Sequence, residues 1–294
     1  MTRQLVFVHG RSQQHKDATA LKQAWISSWS DGLRASSLEV PIAEADIRFP
    51  YYGDTLEALV EARPGEAIPD VIIRGAGDDR QEQEFVAKVL EEARSEVGVT
   101  DAEILAANPD PQLEQGVQNW PMVRAVLRAI DARVPGGSAA GLALATHDVY
   151  QYLRNPGIRD DIDGGVREAI SRDADTVVVG HSLGSVVSYE LLRREGEAMG
   201  WRVPLFVTVG CPLAITAIKK AISPIKYPTC AGAWFNARDR ADIVALYLLD
   251  ASHFGVEPSV ENKDDVVNGT SNHHGISGYL SDPVVARRIY DAVV

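Results

Sequence analysis

The stretch TVVVGHSLGSVVSYELL, residues 176–192, constrains this chain more than any other. Val177 to Val179 are strand formers, and the residues after Leu183 follow an apolar helical pattern. Between them stands Gly180-His181-Ser182-Leu183-Gly184, two glycines flanking a serine at G-x-S-x-G spacing. A serine held on so tight a strand-turn-helix corner occupies a strained, sparsely populated backbone conformation. Residues two positions to either side must then be small, or their side chains collide. Gly180 and Gly184 meet that need. The turn carries Ser182 beyond the carboxyl end of the sheet, where a substrate can reach it. Leu183 opens the helix, so its N–H points outward at the positive end of the helix dipole. Such an N–H is a ready donor to an oxyanion. A bare G-x-S-x-G also occurs in ordinary Gly-rich turns. The Val-rich strand before it and the apolar helix after it single out a nucleophile elbow.

The rest of the chain supplies a sheet for that corner. Leu5 to Val8 reads as a strand ending in His9-Gly10. Residues 17–34 read as a helix, with Asp17 as its cap and Leu21, Trp25, Trp29 and Leu33 one turn apart. A second strand follows at Ala45 to Phe49. Strand, helix, strand in quick succession point to a parallel α/β sheet. Residues 55–140 break the rhythm with loop signals (EARPGEAIPD, IRGAGDD) and two helical stretches, 79–97 and 119–134. This insertion is expected to form a helical cap over the sheet's carboxyl edge; the alternative is helices that only flank the sheet. Two further helical stretches, near 142–153 and 159–172, lead into the Ser182 strand, the second as scaffold. Later come a strand at 203–209, a short helix or turn in AITAIKKAI, and a strand ending near Asn236. A closing helix spans 282–294, with Asp282 as cap and Pro283 in its first turn. Residues 1–294 read as one domain.

A serine hydroxyl is a weak nucleophile near neutrality. It needs a general base, and the base needs an orienting carboxylate. Both are expected downstream, in the order serine, acid, histidine. Asp239 and Asp242 follow the strand that ends in AWFN, where a carboxylate reaches the same rim. Asp242 is favoured, because the chain turns back into apolar sequence there, whereas Asp239 lies in the charged run RDR. Asp250 ranks behind both. The base candidates are His273 and His274, in the polar, glycine-rich loop NGTSNHHGISGYLSDP. Adjacent residues point different ways, so one of the two faces the serine. His253 comes too soon after the acid strand and reads as a surface residue. His15 and His147 have no motif around them. The second oxyanion donor falls in VFVHGRS, through the backbone N–H of Arg11, or of Ser12 as alternative, with His9 hydrogen-bonded within the loop.

Composition narrows the setting. The chain has 294 residues, 45% of them hydrophobic, enough for a sizeable core. A net charge of −12 argues against a nucleic-acid partner and weakly against an anionic membrane. The start MTRQLVFVHG has no long apolar segment, and no run of eighteen apolar residues occurs, so neither a signal peptide nor a membrane span is expected. Cys211 and Cys230 are the only cysteines; without an export signal they read as buried, reduced thiols of a cytoplasmic protein. Neither has metal-ligand spacing. The sequon at Asn268 carries no weight in a chain that is not secreted.

Four segments, VFVHG, VVVGHSLGSVVSYELL, WFNARDRADIVAL and HHGISGYLSDP, resemble in order and spacing the oxyanion strand-loop, nucleophile elbow, acid loop and histidine loop of the α/β-hydrolase superfamily. They span nearly the whole chain, and Gly-His-Ser-Leu-Gly is a form common among its lipases and esterases. The resemblance implies a trimmed, mostly parallel sheet, because the superfamily's first strands have no room before Leu5. It also refines the site. In class-3-type lipases the acid commonly starts an Asp-Ile/Pro-Val run, which Asp242-Ile243-Val244 matches. Some of them place the histidine in His-x-Leu-x-x-Tyr-Leu, which His274 to Leu280 matches with Ile for Leu, and this moves His274 ahead of His273. The implied activity is a serine hydrolase that cleaves carboxylic esters or thioesters through an acyl-enzyme. Its triad is Ser182, His274 and Asp242, with Leu183 and Arg11 as oxyanion donors. It needs no cofactor or metal and takes a small-molecule ester or acyl substrate. A peptidase or amidase on the same residues is an alternative, as is a ligand-binding module that has lost the chemistry. The long, strongly apolar lid of an interfacial lipase has no counterpart here.

Overall fold

The structure, a computed structural model, describes residues 3–10, 17–53, 79–107, 120–134 and 139–294. Its elements run β1 (Arg3–Val8), α1 (Ala18–Arg34), β2 (Ile47–Arg48), α2 (Arg80–Glu96), α3 (Asp101–Ala107), α4 (Trp120–Arg133), α5 (Ala139–Arg154) and α6 (Pro156–Ala169). They continue as β3 (Asp175–His181), α7 (Leu183–Glu195), β4 (Phe206–Val209), α8 (Thr216–Ala221), β5 (Trp234–Ala237), α9 (Ala251–Phe254), β6 (Glu261–Lys263), α10 (Ile276–Leu280) and α11 (Pro283–Val293). Six strands form one sheet in the order β2-β1-β3-β4-β5-β6, and every pairing is parallel.

The central strands of a parallel sheet covered on both faces are mostly apolar on both sides, because alternate side chains enter opposite layers. This is why the strands read as runs of valine. Val6, Val8, Val178, Phe206 and Trp234 enter one layer, with α7 and the insertion helices. Leu5, Phe7, Val177, Val179, Val207 and Phe235 enter the other, with α1, α10 and α11. Trp25 and Trp29 of α1 close over Phe7 at ring distances of 5.3 and 6.4 Å. The crossover from β1 leaves on α1's face and that from β3 on α7's face, while β2 and β3 lie on opposite sides of β1. The chain therefore reverses its direction of progress between β1 and β3. At such a switch point the carboxyl ends of the strands open a crevice.

The insertion helices pack in α7's layer. Val86, Val89, Leu90 and Ala93 of α2 join that core, and α2 contacts α4, α5 and α8. Its Glu92 carboxylate accepts the Thr216 N–H at 3.0 Å and the Thr216 hydroxyl at 2.8 Å, tying α2 to the segment that follows β4. Among the described residues no helix is long and apolar enough to cross a membrane. Both cysteines are free thiols. Cys211 is buried, which pushes its pKa up to about 12, and Cys230 is half-buried.

Several elements differ from the sequence reading. β4 begins at Phe206, not 203; Val203 makes only an isolated bridge to Ala231. Pro204 has no N–H to give the ladder. β2 is two residues long, because Glu44–Asp46 form a turn of 3₁₀ helix. α6 starts at Pro156, with the Asn155 side chain accepting the N–H of Gly157 at 3.1 Å. β6, α3, α9 and α10 were not expected.

Candidate active site

Ser182 stands between the last residue of β3 and the first of α7, with φ 55° and ψ −125°. This left-handed setting is rare for any residue with a side chain. It is over-determined by its neighbours. The Ser182 N–H donates to the Val209 carbonyl at 3.2 Å, and the Ser185 hydroxyl donates to the Gly180 carbonyl at 2.8 Å. A Cβ on Gly180 would lie 2.7 Å from the Gly184 carbonyl oxygen, and one on Gly184 would lie 2.1 Å from the Val8 carbonyl oxygen. Both glycines are thus required by close backbone approach, Gly180 within the turn and Gly184 between α7 and β1. Leu183 is the first residue of α7, so its N–H has no acceptor inside the helix.

The end of β1 lies directly beside the corner. Val8 is in register with Gly180, and a Cβ on Gly10 would fall 2.7 Å from the Ser182 Cβ. His9 is held as expected, within its own loop and against β2's exit. Its Nδ1–H donates to the Gly10 carbonyl at 2.6 Å, and its Nε2 accepts the Tyr52 N–H at 3.1 Å. Burial lowers its pKa to about 4, so the ring is neutral. Arg11, Ser12 and His15 lie outside the described residues. Ser182 itself is only 3% exposed, where the sequence reading has it open at the rim. The close approach of Gly10 supplies part of that cover.

Two strand ends away sits an imidazole–carboxylate pair. The His274 Nδ1–H donates to Asp242 Oδ2 at 2.8 Å. With that proton engaged, a neutral His274 carries its lone pair on Nε2. Asp242 Oδ1 accepts the Val244 N–H at 2.9 Å, and Oδ2 also accepts the Tyr279 hydroxyl at 2.6 Å. Burial raises the pKa of Asp242, but the His274 imidazole and these donors outweigh it and hold the carboxyl below its ordinary value. The His274 ring rests on Gly210, where a Cβ would meet it at 3.1 Å. Gly210 follows β4, whose Val209 is in register with His181. The same His181 donates from Nε2 to the His274 carbonyl at 2.7 Å, and the two rings lie 4.7 Å apart. His274 is thereby tied to His181, the residue before Ser182, with no hydrogen bond between its ring and the Ser182 hydroxyl in this structure. Burial, then the neighbouring His274, lowers the His181 pKa to about 3.

The other candidates fall elsewhere. Asp239 spends its carboxylate on the loop, accepting the N–H of Ala241 and of Asn268, each at 2.8 Å. His273 takes φ 55° and turns toward the Asn268 carbonyl at 3.2 Å, with Asp239 Oδ2 3.6 Å away. His253 pairs with Asp250 at 2.9 Å and stacks on Tyr247. His147 is buried against Glu82 between α5 and α2. Sequence reasoning missed His181 and the Tyr279 hydroxyl. Both stand inside quoted motifs, His181 as the elbow's variable position and Tyr279 as a matched tyrosine with no role assigned to it. Among the described residues no group of three or more His, Cys, Asp or Glu side chains could hold a metal ion.

Chemically, the described residues offer a hydroxyl on a strained corner, an N–H at a helix start and an imidazole oriented by a buried carboxylate. Comparison of the chain with protein-family models, curated proteins and solved structures finds no match.

Proposed function

We propose that this protein is a serine hydrolase of α/β-hydrolase architecture, acting on carboxylic esters or thioesters. The observation that carries the proposal is the backbone of Ser182, a non-glycine residue at φ 55° on the tip of β3, at the sheet's switch point. Strain of this kind persists only where the surroundings enforce it, and a nucleophile is what such a corner displays. In this reading Ser182 Oγ attacks the acyl carbon. His274 Nε2 takes the hydroxyl proton and passes it to the leaving group, and Asp242 keeps the ring in the Nδ1–H tautomer and stabilises its cation. The N–H groups of Leu183 and Arg11 receive the oxyanion. The packing of Gly10 against Ser182 supports a donor from the next residue. The grip of Glu92 on the start of α8 supports α2 as part of a cap beside the carboxyl ends of the strands. The two free cysteines fit a reducing, cytoplasmic setting.

A fluorophosphonate probe tests the reading whatever the natural substrate, because it reacts with the activated hydroxyl itself. Wild-type protein is expected to label, and Ser182→Ala to lose the label while remaining folded. His274→Ala is expected to slow labelling by about three orders of magnitude or more, and His273→Ala to keep most of it. A folded wild-type protein that takes no label overturns the proposal in favour of a binding module.

A further inference from the structure

Tyr279 is buried in the layer formed by α1, α10 and α11, and a phenylalanine would fill that space equally well. Its hydroxyl is therefore the feature to explain, since a buried hydroxyl is costly unless it is bonded. Both of its bonding directions are used. The oxygen accepts the Asp239 N–H at 3.2 Å, and the proton goes to Asp242 Oδ2 at 2.6 Å. One atom thus joins the two ends of the loop from Asp239 to Asp242. The donor direction is fixed by its partners, because a backbone N–H cannot accept and Asp242 is ionised. Burial and the charge of Asp242 push the phenol pKa well above its ordinary value, so the proton stays on the phenol.

Asp242 Oδ2 consequently serves two donors, the phenol at 2.6 Å and the His274 imidazole at 2.8 Å. Two donors on one carboxylate oxygen share its charge. We propose that Tyr279 is a positioning residue for the catalytic unit, fixing Asp242 Oδ2 against His274 and moderating the pull of that carboxylate on the imidazole. The proposal rests on the serine-hydrolase reading of the site. The other titratable groups around this contact are His181, whose ring lies 6.2 Å from Tyr279, Asp239 with its neighbour His273, and the buried Cys211 thiol, which burial and the charge of Asp242 keep protonated. His181 is neutral at working pH, and Asp239 is engaged by two backbone N–H groups. Tyr279 is the side-chain donor that competes with His274 for Asp242.

The rate of fluorophosphonate labelling, measured across pH, tests this. In that reaction the Ser182 Oγ–P bond forms, the P–F bond breaks with loss of fluoride, and the hydroxyl proton passes to His274. The rate is expected to rise through one midpoint as His274 loses its proton. In Tyr279→Phe the carboxylate loses one donor and draws the imidazolium more strongly. The midpoint is expected to move up by about half to one pH unit, and the plateau rate to fall by about tenfold. Replacing Tyr279 by 3-fluorotyrosine, a stronger donor of the same shape, is expected to move the midpoint down without loss of stability. A lower melting temperature with an unmoved midpoint in both variants overturns the proposal and leaves the hydrolase reading standing. Failure of folded wild-type protein to label overturns both.

Discussion

Ser182 is where sequence, strain and chemistry meet in one residue. A non-glycine residue in its backbone setting costs about 1–3 kcal/mol. Glycine there escapes the strain, but loses about 0.4–1 kcal/mol through the greater freedom of the unfolded chain. Ser182→Gly is therefore expected to be more stable than Ser182→Ala by about 1 kcal/mol in urea denaturation, with both inactive toward the probe. Equal stabilities would mean that the corner stores no strain. The corner was legible because glycines at fixed spacing leave few alternatives for the serine between them. The cover over Ser182 was not, because part of it comes from Gly10, 172 positions earlier in the chain. The histidines were ambiguous for a local reason. His273 and His274 are adjacent, and a positive φ at His273 sends the two rings to different carboxylates, Asp239 and Asp242. No composition rule reads that sign. The phenol of Tyr279 stood in a matched motif, but its partners, the Asp239 N–H and the Asp242 carboxylate, lie 40 and 37 positions earlier in the chain, beyond the reach of a local pattern.

At the scale of elements, contacts between backbones decide what each glycine is for. Gly184 lies where α7 crosses β1, and a methyl there would meet the Val8 carbonyl oxygen at 2.1 Å. Gly164 is inside α6, with nothing within 4 Å of the position its Cβ would take. Gly184→Ala is expected to destabilise the fold by about 3 kcal/mol, since α7 must move off β1. Gly164→Ala is expected to stabilise it by about 0.5–1 kcal/mol through helix propensity. Thermal or urea unfolding of the two variants checks the contrast; if Gly184→Ala matches wild type, the elbow helix does not sit so close to β1. Elements that bury a full face were legible, as in α1 and β3, because packing leaves a period in the sequence. Those that do not were missed. β6, Glu261-Asn262-Lys263, is a three-residue edge strand of polar residues, the composition expected of a protected edge and equally of a loop. The start of α6 did carry a signal, Asn155 before Pro156, an N-cap followed by proline in the first turn.

For the whole molecule, the two neutral histidines buried at the ends of β1 and β3 tie stability to pH. His9 and His181 have folded pKa values lowered to about 4 and about 3, in each case chiefly by burial. In the unfolded chain both titrate near 6.5. Above that value they are neutral in both states and contribute no slope. Below it the unfolded chain binds up to two more protons than the native one, so stability falls as pH falls. The window runs from 6.5 down to the two folded values, and each histidine adds up to about 1.4 kcal/mol per pH unit within it. Asp242 has the opposite dependence on protonation but the same consequence. Its depressed pKa stabilises the fold above the unfolded carboxyl value of 3.8 and is lost only below it. The histidines therefore govern the range near pH 5. Urea unfolding is expected to be nearly flat from pH 8 to 7 and to lose about 3 kcal/mol between pH 6.5 and 5. That is a large part of the roughly 5–15 kcal/mol that holds a domain folded. His9→Gln, whose amide keeps an acceptor for the Tyr52 N–H and a donor for the Gly10 carbonyl, is expected to remove about half of the slope while leaving the His181 part. A wild-type profile that stays flat to pH 5 would show that these rings protonate without unfolding the sheet's rim. A His9→Gln profile as steep as wild type would place the dependence on other groups.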